Sequence, residues 1–170
     1  MLSRGGTAAD KALLLFLRKL TNKRTDIRIT EIPDQREIGN ASAQVRNAGV
    51  TKIASAVTLE AAAAAILADL LRGDPGNYLS SGRLGPDMLP VITPFCHIPA
   101  EEISEYAKIL GATEDRRRYS GTHDTLFEDV TMMLTDYTSR HPAAPHAVLN
   151  LAESLEQSCL IRETESRHAA

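Results

Sequence analysis

The chain has no tryptophan, and aromatic residues make up only 4% of its 170 positions. A core of that composition cannot rest on stacked rings; it must be filled by Leu, Ile, Val and Ala. Cysteine is also scarce. Cys96 and Cys159 are the two present, far apart and outside any CxxC spacing, which excludes a disulfide framework and a zinc knuckle. Positive charge is not in excess, because the formal net charge is -3. That excludes a surface built throughout to wrap a polyanion, while leaving room for a local basic patch. No apolar run nears the ~20 residues that span a bilayer, so no membrane segment is expected. The opening "MLSRGGTAADK" lacks the apolar stretch of a secretory leader, and the expected location is the cytoplasm.

What remains is ordinary for a globular chain: 43% apolar and 24% charged residues. That length and composition predict a single α/β domain over residues 1–160, helical from about residue 99, with a polar tail at 161–170. Ala12, Leu13, Phe16, Leu17 and Leu20 recur at helical spacing within residues 8–20, with Arg18 and Lys19 at the favourable end of the dipole. "TDIRITEI" alternates Ile27 and Ile29 with polar residues, which predicts a strand to Ile32. A helix is expected over 37–48, closed by Gly49, and a strand in "VTKIASAV". Thr58 then offers an N-cap for "TLEAAAAAILADLLRG". A Gly- and Pro-rich loop, a strand in "VITPF" and a helix opened by Pro99 and closed by Gly111 follow. The spacing predicts a helix over 124–140, a break at "HPAAP", and a last helix over 146–157. Strands alternating with helices imply a parallel sheet covered on both faces, with ligands at the strand ends near helix N-termini.

Four stretches, in order, resemble the PP-loop ATP pyrophosphatases, most closely the branch that thiolates tRNA. They are "LSRGGTAADKALLLFLRKL", "TKIASAVTLEAAAAAILADLLRGD", "LPVITPFCHIPAEEISEYAKILGA" and "SRHPAAPHAVLNLAESLE". The resemblance implies a reduced α/β fold of the adenine-nucleotide α-hydrolase type, with a helical C-terminal segment. In that family an S-G-G-x-D-S loop wraps the pyrophosphate of ATP. Gly5 and Gly6 match its glycines and Thr7 its variable position, but Arg4, Ala8 and Ala9 stand where its Ser, Asp and second Ser belong. In the second motif, G-H-N-x-D-D, Glu60 takes the place of the first Asp and Ala61 that of the second. The family's first strand and its cysteine-bearing segment are not matched.

The resemblance therefore implies a nucleotide site at Gly5, Gly6, Thr7 and Glu60, with ATP and magnesium as the ligands in question and no cofactor certain. No catalytic or metal-ligating residue is assigned. Arg116, Arg117 and Arg118 are the candidate contact to RNA phosphates, although net charge and the lack of stacking aromatics favour a plain solvated loop. Three functions fit. The first is a non-catalytic, degenerate relative serving as partner or scaffold, with a protein partner or homo-oligomer covering an open sheet edge. The second is an ATP-dependent adenylating enzyme of tRNA thiolation, and the third a nucleotide-binding regulatory module. Cys96 and His97, adjacent in an extended segment, would face opposite ways and form no catalytic pair; Cys96 is expected as a small buried residue.

Overall fold

The computed structural model describes residues 7–31, 49–73, 89–112 and 124–168. The described elements run α1 (Ala8–Thr21), β1 (Ile53–Ala54), α2 (Leu59–Arg72), β2 (Val91–Ile92), α3 (Ala100–Ile109), α4 (Thr125–Arg140) and α5 (Ala144–His168). They fall into two compact units, one from Met1–Thr58 and Gly82–Thr122, the other from Leu59–Ser81 and His123–Ala170.

In the first unit β1 and β2 pair in parallel, with Ile53 opposite Val91 and Ala54 opposite Ile92. Ile53 N–H donates to the Pro90 carbonyl and Ser55 N–H to the Ile92 carbonyl, both at 2.9 Å. Parallel pairing demands a crossover rather than a hairpin, and α2 lies in that connection. Helices α1 and α3 pack together. Their meeting faces bury Ala12, Leu13, Ile103 and Ala107 with Ala54 and Phe95 in one apolar cluster. Phe16 adds an edge-tilted contact to Phe95, centroids 5.9 Å apart. Each fully buried Leu of such a cluster contributes about 1.5–3 kcal/mol.

In the second unit α2 packs against both α4 and α5, which also touch each other. The α2 core face is nearly all alanine: Ala62, Ala63, Ala64 and Ala68 are buried with Leu59 and Ile66. Val130, Leu134, Pro145, Leu149 and Ala152 are buried side chains of its partners. Asp124 caps α4 by accepting from Phe127 N–H. That backbone bond, with the Arg72 guanidinium, holds the Asp124 carboxyl below the usual range. Arg72 reaches both Asp124 and Asp69, tying the end of α2 to the start of α4.

Several expectations are met. The helix ends are closed by Gly73 and Gly111 at φ +75° and +69°, a conformation that favours glycine. Helix α4 lies where its spacing predicted, and "HPAAP" separates it from α5. Pro99 stands at the N-cap of α3, one position earlier than expected. The helix expected over 37–48 lies outside the described residues.

Other expectations are corrected. Residues 25–31 form no strand, although Ile27 and Ile29 alternate with polar neighbours. Arg24 grips Asp26 with both guanidinium nitrogens, at 2.8 and 2.6 Å, and bends the chain there. Ile29 is half-buried against the cluster, whereas Ile27 remains 45% exposed and has no face to bury. The strands of "VTKIASAV" and "VITPF" shrink to two residues each. Helix α5 starts at Ala144 and runs to His168, through the segment expected as a loose tail. No Gly or Pro interrupts residues 146–168, so each added residue gains a helical bond at little cost.

Candidate functional site

The sequence directs attention to the N-terminus of α1. Thr7 is its N-cap, in extended conformation at φ -68° and ψ 156°. Its Oγ1 accepts from Asp10 N–H at 3.1 Å, and its own N–H donates to Asp10 Oδ2 at 3.3 Å. The Thr7 hydroxyl completes the exchange by donating to Asp10 Oδ2 at 2.7 Å. This is a reciprocal capping box with Asp at the third helical position. Asp10 is only 3% exposed, the one buried charged residue among those described. An acid in the first turn is favoured by the helix dipole, so the box stabilises α1 with no outside ligand.

Sequence reasoning missed Asp10. The signal was present: Thr7-x-x-Asp10 ahead of the apolar run of α1 has capping-box spacing. Among the anticipated residues, Thr7 stands at the helix entrance, while Gly5 and Gly6 lie outside the described residues. Ala8, in the place of the family's Asp, is buried in the apolar cluster, and Ala9 packs against it. Both therefore contribute packing and no polar atom.

Glu60 is the second residue of α2, half-buried, and belongs to the second unit while Thr7 belongs to the first. Ala61 to Ala64 follow it, so that turn supplies one carboxylate. Magnesium demands six oxygen ligands in near-octahedral array. No group of three or more His, Cys, Asp or Glu among the described residues is placed to hold a metal ion. The donor set at α2 thus does not fit a protein-held magnesium.

Arg116, Arg117 and Arg118 lie outside the described residues. Cys96 is half-buried rather than buried, and it sits in a turn rather than an extended segment. Its N–H donates to the Thr93 carbonyl at 3.1 Å, and Ile98 N–H to the Phe95 carbonyl at 2.9 Å. That turn carries Phe95 inward and leaves His97 exposed. His141 and His146, on either side of the Pro-rich turn, are exposed. No described helix is long and apolar enough to cross a membrane.

A parallel strand pair joined through a helix, followed in sequence by helices alone, is an α/β architecture. No protein-family model matches the chain, and no curated protein matches it by sequence. A solved structure does match: the U34-tRNA thiolase NcsA from Methanococcus maripaludis with its 4Fe-4S cluster. The TM-score is 0.72 at 14% identity, covering 92% of this chain and 70% of that one. The likeness establishes the fold, and it agrees with the resemblance carried by the four sequence stretches.

Proposed function

We propose that this chain is a non-catalytic relative of the tRNA-thiolating PP-loop proteins, acting in the cytoplasm as partner or scaffold for an active protein of that kind. The observation that carries this reading is the capping box at the entrance of α1. A pyrophosphate held at a helix N-terminus needs free N–H groups and a positive dipole end. Here the N–H groups of Thr7 and Asp10 already serve internal acceptors. The Asp10 carboxylate also places negative charge where an anion would approach. Two unit charges ~4 Å apart repel by about 4 kcal/mol at an effective dielectric of ~20. The side chains of Ala8 and Ala9 return no donors to offset that cost, and Glu60 alone does not assemble a metal site.

The likeness to a tRNA thiolase supports tRNA modification as the setting in which such a partner acts. Gly5, Gly6, Thr7 and Glu60 are then remnants of a nucleotide site, and Arg116 to Arg118 a secondary contact to RNA.

A thermal-shift measurement with ATP and magnesium tests the reading. The expected result is no shift. A ligand at ~100 times its Kd stabilises by ~2.7 kcal/mol, which for a chain of this size is a rise of roughly 5–10 °C. A rise of that size without pyrophosphate release in the presence of tRNA would establish a regulatory module instead. A rise with release would establish the adenylating enzyme.

A further inference from the structure

Around the C-terminal end of α1, far along the helix from Thr7, the chain is strongly basic. Arg18, Lys19, Lys23, Arg24, Arg28 and Lys52 stand there against Asp26 and Glu31. Glu31 pairs with Arg18 at 3.0 Å and Asp26 with Arg24. Lys19, Lys23, Arg28 and Lys52 are left without an acidic partner among the described residues, in a chain of net charge -3.

Of these cations, Arg28 and Lys52 line a groove of about 840 Å³. Leu17, Ile29, Ala54 and Ile92 give it an aliphatic part among threonines, with the exposed Arg28 and Lys52 beside them. The strand register explains that part. Ala54 opposes Ile92, so their side chains share one face of the sheet, and Lys52 shares it by alternation. No aromatic residue lines the groove, and Asp26 stands in its wall. Both features disfavour a nucleic-acid strand, whose bases want stacking partners.

The same unit carries a surface of opposite character. On α3, Glu101, Glu105 and Ile109 recur every four residues and form one ridge, about 12 Å long, with Glu102 and Tyr106 beside it. Ile109 is 81% exposed, the highest value for any large apolar side chain among the described residues. Glu105 pairs with Lys108 at 2.6 Å, while Glu101 and Glu102 have no basic partner among the described residues. Two cations beside an aliphatic part match an acidic ridge that ends in a protruding isoleucine.

We infer that the α3 ridge of one copy docks in the basic groove of a second copy. Ile109 enters the aliphatic part, and Glu101 and Glu102 meet Arg28 and Lys52. The two surfaces differ, so docking either is reciprocal, closing a two-fold dimer, or runs one way from copy to copy into a ring or an open chain. Exposed ion pairs make it salt-sensitive. The inference concerns self-association and stands beside the partner role proposed above.

Sedimentation equilibrium of the full chain tests it. The weight-average mass is expected to rise with concentration at about 50 mM salt and to fall to the monomer at about 500 mM, where screening extends to within a few ångströms. The groove variant Arg28→Glu/Lys52→Glu and the ridge variant Ile109→Asp change exposed residues only, and circular dichroism verifies their folding. Each variant alone is expected to stay monomeric. Mixed in equal amounts, they are expected to form a dimer and nothing larger, because only one intact groove and one intact ridge remain to meet. A monomeric wild type at low salt, a mixture that stays monomeric, or either variant still associating would each overturn the inference. A monomer that binds short oligouridylate through Arg28 and Lys52 would also overturn it, assigning the groove to nucleic acid. Failure of self-association leaves the ATP test of the preceding section unaffected, so the two ideas fail separately.

Discussion

Replacing Asp10 by alanine isolates the feature on which the functional reading turns. The carboxylate accepts the Thr7 hydroxyl at 2.7 Å and the Thr7 N–H at 3.3 Å, inside a site only 3% exposed. The longer bond is weak; the shorter one is charge-assisted, worth ~1.5–3 kcal/mol net. Losing a favourable first-turn charge adds ~0.3–1 kcal/mol. Asp10→Ala is therefore expected to cost ~2–4 kcal/mol, or roughly 4–16 °C in Tm for a chain of this length. Asp10→Asn keeps an acceptor without the charge and is expected to lose about half as much. Thr7→Ala removes the N-cap oxygen at ~1 kcal/mol. The double variant is expected to show a coupling of at least ~0.5 kcal/mol, because the two side chains act through each other. Urea denaturation followed by circular dichroism measures all four proteins. An Asp10→Ala variant within ~0.5 kcal/mol of wild type would refute the reasoning, since a carboxylate that contributes so little is not committed to the helix entrance.

Three further outcomes are expected. Leu13→Ala and Leu149→Ala, both about 1% exposed but in different units, are each expected to cost ~2–5 kcal/mol in the same assay. Gly111→Ala forces a Cβ into φ +69° and is expected to lose about 1–2 kcal/mol although the space around it is open; a stabilised variant would contradict the left-handed cap. The Asp124 carboxyl, held low by Phe127 N–H and Arg72, adds stability above the unfolded carboxylate value of about 3.9 and loses it as pH falls through the folded value. Asp124→Asn keeps the cap acceptor, so it is expected to be less stable than wild type at neutral pH and to converge with it in acid or high salt, as a pH series of thermal melts would show.

The helices were legible because their signals are local. Asp124 and Gly111 announce a start and a stop, and the alanines and leucines of "TLEAAAAAILADLLRG" need no tertiary help to predict a helix. The parallel pairing was legible from alternation of element types alone. The strand expected at 25–32 failed because alternation reports only a half-buried face, not a partner. Ile27 alternates correctly and still points to water, since the Arg24–Asp26 fork turns the chain before a ladder begins. The reach of α5 to His168 was hidden by polar composition, which describes a solvated face as well as a loose end. At the candidate site the double glycine drew attention to phosphate, while the spacing of Thr7 and Asp10 carried the competing message. Cys96 was misplaced because an extended segment was assumed where the chain turns.

The alanine face of α2 has a consequence for how this part of the molecule can drift in evolution. A methyl group has no rotamer to lock, so Ala62, Ala63, Ala64 and Ala68 present a smooth track to α4 and α5. Such a track resists enlargement at every step yet does little to fix where the helix stops along its axis. The stopping point is set by the few bulky residues, Leu59 and Ile66, and by the clasp of Arg72 on Asp124 at the far end. Side-chain growth along the track is therefore closed to the sequence, whereas exchange of the terminal clasp for another matched pair is open to it.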